Sequence, residues 1–281
     1  MTKDLLTLEE RSKMYKALDK GYNKVLEDNQ IREILNFNQK GLAAVRAQLL
    51  SGFKFYRARF IDENIEKYDN ISELLAVPKE YVSNYGRCNK IGESVFYAAN
   101  NYETMYSEMR AIKGDRFQVI ELELKEGCEI WVHAVGFIDS CRRHGEAPSI
   151  LGTENAKYVN EIKNSVSKEQ FTKILLHDAF IANWFRKRIL DKKDYNLTSM
   201  YSEICLKNND GIFYPSVGHQ GGWNLALNPS KVIDNFKINK ISTNTVTENF
   251  NYGLYNSKMN RWADNYDSRN GNINWNKEKN A

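Results

Sequence analysis

Residues 117–124 read Phe-Gln-Val-Ile-Glu-Leu-Glu-Leu, and this run constrains the fold more than any other part of the sequence. From Ile120 onward apolar and polar residues alternate, which is the period of a strand and not of a helix. The run ends at Glu126-Gly127, so Cys128 to Val135 is predicted as the other arm of a hairpin. Strands are also expected at Phe53–Phe60, Glu93–Ala99, Ser202–Leu206, Gly211–Tyr214, Trp223–Leu227 and Val232–Ile238.

Helical spacing accompanies these strands. Residues 7 to about 50 read as two helices parted at Asp28-Asn29, the second closed by Gly52. Asn100-Asn101 is a helix cap, predicting a helix over Tyr102–Ala111, and Phe171–Leu190 is an apolar helix with a basic end. A short helix fits around Ile71–Leu75, before Pro78, within an irregular stretch from Ile61 to about Gly92. Residues 137–168 read as a long polar insertion. Beyond about 241 asparagine dominates, interrupted by Phe250, Tyr252, Tyr255, Trp262, Tyr266 and Trp275, which predicts a polar tail that is flexible or docks through its aromatics. The class is α+β, with a helical extension at 1–50, a main domain at 51–240 and a tail at 241–281.

Composition bounds what such a domain can do. With 281 residues, 42% of them hydrophobic, the chain can bury roughly three quarters of its unfolded surface. Forty basic and 36 acidic side chains leave a formal charge of +4, a mixed surface that argues against direct nucleic-acid binding. The basic clusters Arg142-Arg143 and Arg186-Lys187-Arg188 are short, and the second suits a helix end. Four cysteines without a C-x-x-C pair support neither a zinc site nor a disulfide framework, and no metal site is expected. The N-terminal residues form no apolar leader core, and the apolar stretch Ile174–Phe185 contains His177 and Asp178 and is too short to span a bilayer. A cytoplasmic protein without membrane contact is expected.

Four segments could carry chemistry. Arg57 and Arg59 would share one face of the strand at Phe53–Phe60, and two arginines there suit an external anion such as a diphosphate as well as an internal salt bridge. Arg87 lies in a Gly-Arg-x-Asn turn, and Tyr97 ends the next strand. Glu108 shares a helical face with Thr104 and Met105, the usual place of a solvated neighbour of the core; if it faces the arginines, its carboxylate can stabilise positive charge developing on a ribose C1. Ser216 follows Tyr214-Pro215 without a G-x-S-x-G elbow, so a hydrogen-bonding role suits it better than a nucleophilic one. His219 is followed by Gln220-Gly221-Gly222, which reads as a flexible loop.

The order Tyr56-Arg57, Gly86-Arg87, Ser94-Val95-Phe96-Tyr97-Ala98-Ala99, Glu108, Tyr214-Pro215-Ser216 and Asn224-Leu225-Ala226-Leu227 resembles the RES-domain family over roughly residues 50–238. That family is named for an arginine, a glutamate and a serine, and supplies toxins of bacterial toxin–antitoxin pairs. The resemblance implies a split, mixed β-core like that of the ADP-ribosyltransferase toxins, acting on NAD+ as substrate with no prosthetic group. Arg57 (or Arg59 in its place) and Arg87 would hold the phosphates, and Tyr56 and Tyr97 would line the nicotinamide end. Glu108 would bind the ribose hydroxyls and favour the oxocarbenium-like transition state. Ser216 would hydrogen-bond the ligand or orient a neighbouring group.

The implied reaction breaks the nicotinamide–ribose bond. Inorganic phosphate as co-substrate gives phosphorolysis, water gives hydrolysis, and a side chain gives protein mono-ADP-ribosylation. A non-catalytic module that binds NAD+ or ADP-ribose is the remaining alternative. The implied partner is a helix-turn-helix antitoxin, and the additions outside the main domain leave room for a homo-oligomer.

Overall fold

The computed structural model describes residues 6–42, 44–145, 151, 153–189 and 192–276. Outside them lie Met1–Asp4, read above for a leader, parts of the 137–168 insertion, Leu190 at the expected helix end, and the last residues of the tail. In chain order the elements are α1 Leu8–Val25, α2 Asp28–Gln39, β1 Arg46–Gln48, β2 Lys54–Phe60, β3 Phe96–Ala99, α3 Tyr102–Glu108, β4 Arg116–Leu124 and β5 Trp131–Ala134. They continue with α4 Phe137–His144, α5 Thr153–Ser165, α6 Lys168–Arg186, α7 Asn196–Leu206, β6 Gly211–Pro215, β7 Trp223–Leu227, α8 Ser230–Asn235, β8 Phe236–Asn251 and β9 Leu254–Ala263. The class is α+β, with both parallel and antiparallel pairing. No helix among the described residues is long and apolar enough to cross a membrane.

The chain divides into two compact units, the first made of Met1–Gln48, Ser83–Glu93 and Trp131–Tyr214. Its strands run in the order β1-β5-β6, antiparallel then parallel. Thr7 and Glu10 form a capping box at the start of α1, which packs on α6, while α2 packs on α7. Buried polar contacts join these layers. Tyr15 Oη lies 2.7 Å from His177 Nδ1, and His133 Nε2 lies 2.9 Å from Tyr201 Oη. Arg32 grips Glu203 through both its terminal nitrogens.

The second unit holds Leu49–Val82, Ser94–Ile130 and Pro215–Ala281. Its strands run β7-β3-β2-β4-β8-β9, all antiparallel. β4 sits in the interior of this order, paired with β2 from Lys54–Glu123 to Phe60–Phe117 and with β8 from Arg116–Thr245 to Leu124–Phe236. Phe117, Val119 and Ala99 pack under Met105 and Tyr106 of α3, with Tyr56 and Ala58 of β2 beside them. Even Gln118 is fully buried, its side-chain amide bonded to both the N–H and the C=O of Tyr68.

Several expectations are corrected. The second N-terminal helix stops at Gln39, because Gly41 takes a left-handed φ of 76°. Beyond it Val45, Ala47 and Leu49 are buried in alternation, so Arg46–Gln48 is a strand. β5 is not the hairpin partner of β4, whose two edges are taken by β2 and β8; it pairs instead with β1 and β6. Ser202–Leu206 ends a helix, with Leu197, Met200, Tyr201 and Cys205 buried at helical spacing. Residues 232–235 are also helical, following Pro229. The 137–168 stretch contains α4 and α5. The asparagine-rich segment after 241 continues β8 and forms β9, so the compositional boundary at 240 falls inside a strand.

Two outcomes follow from this packing. Burial lowers His177 to about 3 and His133 to about 4, below the ordinary imidazole range near 6.5. The unfolded chain takes up these protons below about pH 6.5, so their contribution to stability is full above that pH and is lost as pH falls. Thermal melts between pH 8 and 5 should show a falling midpoint, with a shallower slope in His177→Gln; equal slopes would clear His177 of the effect. Ending the chain at residue 240 removes five of the nine β8 partners of β4 and all of β9, and the product should be insoluble or melt without cooperativity, as read by solubility and circular dichroism.

Candidate functional site

Glu108 closes α3, the helix whose first turn is capped by the Asn101 side chain accepting from the Thr104 N–H. Its carboxylate is exposed, yet one oxygen is tightly held. Oε1 accepts from Ser216 Oγ at 2.5 Å, from the Val217 N–H at 3.0 Å and from Asn224 Nδ2 at 2.9 Å. Oε2 accepts from no group among the described residues. Three donors on one oxygen fix the plane of the carboxylate and leave the other oxygen to a ligand.

The loop from Ser216 to Gly222 builds this arrangement. Ser216 N–H donates to the Gly222 C=O, Gly222 N–H donates to the His219 C=O, and His219 N–H donates to Ser216 Oγ. His219 Nδ1 lies 2.9 Å from Thr104 Oγ1. The loop presses on α3 so closely that a Cβ on Gly222 would come within 2.2 Å of Thr104 Oγ1, and one on Gly218 within 2.7 Å of the Ser107 C=O. The expectation of a flexible loop is therefore corrected, because Gly218 and Gly222 serve close approach, Gly221 supplies a positive φ of 82°, and the turns are internally bonded.

Strand register sorts the remaining residues of the second unit. Tyr56 of β2 stands opposite Ala99 of β3, which stands opposite Asn224 of β7. Tyr56, Tyr97 and Asn224 thus share the sheet face that α3 covers, while Arg57 and Arg59 belong to the other face. Tyr56 tilts against Tyr102, ring centroids 4.4 Å apart, and burial raises its phenol above the usual range.

Arg57 donates to the carbonyls of Leu74 (2.9 Å), Tyr97 (3.0 Å) and Leu75 (3.2 Å), with its guanidinium over the Phe96 ring. It has no carboxylate partner among the described residues. Burial, with Arg59 nearby, lowers it to about 10. Arg59 lies over Tyr68 and donates to the Glu73 carbonyl.

The profile of the RES domain matches residues 76–248 of this sequence, well over half of the chain. The chain belongs to the RES-domain family. Among solved structures it matches the crystal structure of the M. tuberculosis MbcT–MbcA toxin–antitoxin complex at 8% identity, covering 83% of this chain and 91% of that one, with a TM-score of 0.34. No curated protein matches the sequence.

Within the RES-domain match lie Arg87, Tyr97, Glu108 and Ser216; Tyr56 and Arg57 precede it. Arg87 belongs to the first unit. There it donates to the Trp184 and Lys187 carbonyls at the end of α6, over the Tyr195 ring, so its charge complements the negative helix terminus. The structure thus gathers Glu108 and Ser216 directly, sets Tyr56 and Tyr97 on their sheet face, and turns Arg57 to the opposite one.

Asn224, the Val217 N–H and His219 are site members that residue pattern left without a role. Asn224 alone left a signal, as a polar residue in the apolar strand Trp-Asn-Leu-Ala-Leu. Gly222→Ala should lower stability by about 1–3 kcal/mol through the Thr104 clash. Thr104→Ala in the same chain should return part of that loss; additive losses in thermal melts would mean that the contact is not the cause.

Proposed function

We propose that this RES-domain protein is a toxin or defence effector that cleaves the nicotinamide–ribose bond of NAD+. The observation that carries the reading is the Glu108 carboxylate, pinned through Oε1 by Ser216, Val217 and Asn224 with Oε2 open. A carboxylate fixed in this way can accept the ribose hydroxyls and face the positive charge that grows on C1 as the base departs. The leaving nicotinamide takes the bonding electron pair and becomes neutral, so no strong general acid is needed. Tyr56 and Tyr97, on the sheet face beneath α3, are assigned to the nicotinamide end.

Phosphate is the proposed acceptor, its oxygen forming the new bond to C1 and giving ADP-ribose-1''-phosphate. Arg57 and Arg59 lie on the sheet face opposite Glu108 and bond carbonyls there, so phosphate as the acceptor rests on the family resemblance and not on these two residues. Two of the five N–H groups of Arg87 close α6, and its assignment to the phosphates rests on the family resemblance. A core like that of the ADP-ribosyltransferase toxins and a helix-turn-helix antitoxin as partner belong to the same reading and rest on the family resemblance.

Incubating the protein with NAD+, with and without inorganic phosphate, and weighing the products by mass spectrometry tests the reaction. A phosphorylated ADP-ribose formed only with phosphate present is expected. Free ADP-ribose would replace phosphorolysis by hydrolysis, and intact NAD+ would reject both. Glu108→Gln should lower kcat by about 10²–10³ with KM nearly unchanged, and a near-normal rate would remove Glu108 from the chemistry.

A further inference from the structure

The turn between β8 and β9 carries an unusual residue in an unusual conformation. Asn251 pairs with Leu254 around Tyr252-Gly253, and all three residues from Asn251 to Gly253 have positive φ values, 67°, 55° and 80°. Such turns favour Asn, Asp or Gly at their first position, because a side chain there crowds the backbone. Tyr252 is 94% exposed and has no hydrogen bond or ring contact among the described residues, so no packing offsets its conformation. A strained residue with no structural return points to a task outside the fold.

Its place says which task. A Cβ on Gly253 would fall 2.7 Å from His219 Cδ2, so the turn rests directly on the His219 ring. His219 donates its N–H to Ser216 Oγ, which donates to Glu108. The adjoining strand is secured to the end of α3 by Asn249 Nδ2 bonding the Ala111 carbonyl and by Lys113 pairing with Glu248. The turn is thereby held in fixed relation to the carboxylate. Exposed Phe250 and Leu254 flank it.

We propose that Tyr252 is an aromatic platform at the rim of the Glu108 site, on which a flat heteroaromatic base of the substrate stacks. A tyrosine ring offers a large surface with little conformational freedom to lose, and stacking on it tolerates either base of a dinucleotide. The proposal rests on the reading of NAD+ as substrate and adds a binding element beyond the span of the family match.

Tyr252→Asn tests it without endangering the fold, since asparagine adopts a positive φ more readily than tyrosine. The variant should melt no lower than the wild type, show a KM for NAD+ raised on the order of tenfold with kcat much less affected, and be mimicked by Tyr252→Ala. Tyr252→Phe should retain wild-type KM. Calorimetric titration of the same proteins with nicotinamide mononucleotide and with ADP-ribose identifies the stacked ring, since only the fragment carrying it weakens. Unchanged KM and unchanged affinity for both fragments, in a protein that does consume NAD+, would overturn the platform and leave the site reading standing. A wild-type protein that neither binds nor consumes NAD+ would reject that reading, and the platform with it.

Discussion

Both edges and nearly all side chains of β4 are buried, and the second unit is arranged to satisfy that one strand. Seven register pairs to β2 and nine to β8 supply its backbone partners, while α3 covers its neighbours from one side. Burying polar Gln118 and Glu121 along such a strand requires partners, since an unmet polar group there costs about 1–3 kcal/mol. The backbone of Tyr68 meets Gln118, and Lys54 meets Glu121 at 2.6 Å. The first of these bonds fixes the irregular segment after β2, and that segment in turn supplies the carbonyls that receive Arg57.

The candidate site depends on the same sheet through β3 and β7. β3 leads into the Asn101 cap and α3, which ends on Glu108, and β7 delivers Asn224 to the same carboxylate. Between them the Ser216–Gly222 loop provides one hydroxyl and one backbone N–H. Three separate pieces of chain thus converge on one oxygen atom, a division of labour suited to preorganisation because none can shift without disturbing the others. The glycines at 218 and 222 make the convergence possible by removing the only atoms that would hold the loop off α3.

Where local pattern and tertiary environment agree, the fold was legible in the residues. β2, β4, β6 and β7, the Asn101 cap and most of α6 follow from periodicity and capping chemistry alone. Legibility fails where a short window fits two periods: Val45 to Leu49 and Ser202 to Leu206 each suit helix or strand until their partners are known. It fails again for β8 and β9, whose asparagine-rich composition suggests a solvated tail but which become sheet through the pairing of β8 with β4 and of β9 with β8. Glu108 and Ser216 stood out by their order in the family pattern. The contribution of Val217 lies in backbone geometry, which no side-chain identity encodes, and His219 was obscured by neighbouring glycines that serve close approach and not mobility. The opposite facing of Tyr56 and Arg57 was implicit in their adjacency on a strand.

Between β2 and β3 the ladder has a single rung, Tyr56 to Ala99, and just past it the Arg57 guanidinium takes the Tyr97 carbonyl that a second rung would have used. A side chain here stands in for backbone pairing. The six strands of this unit thus form two ladders, β3 with β7 and β2 with β4, β8 and β9, joined by that rung, by the Arg57 bond and by α3, which packs on both. Cohesion across the seam therefore rests on side chains more than on backbone pairing. The helix that carries Glu108 is thus also the clasp between the two ladders, with Ala99 of one and Tyr56 and Phe117 of the other beneath it.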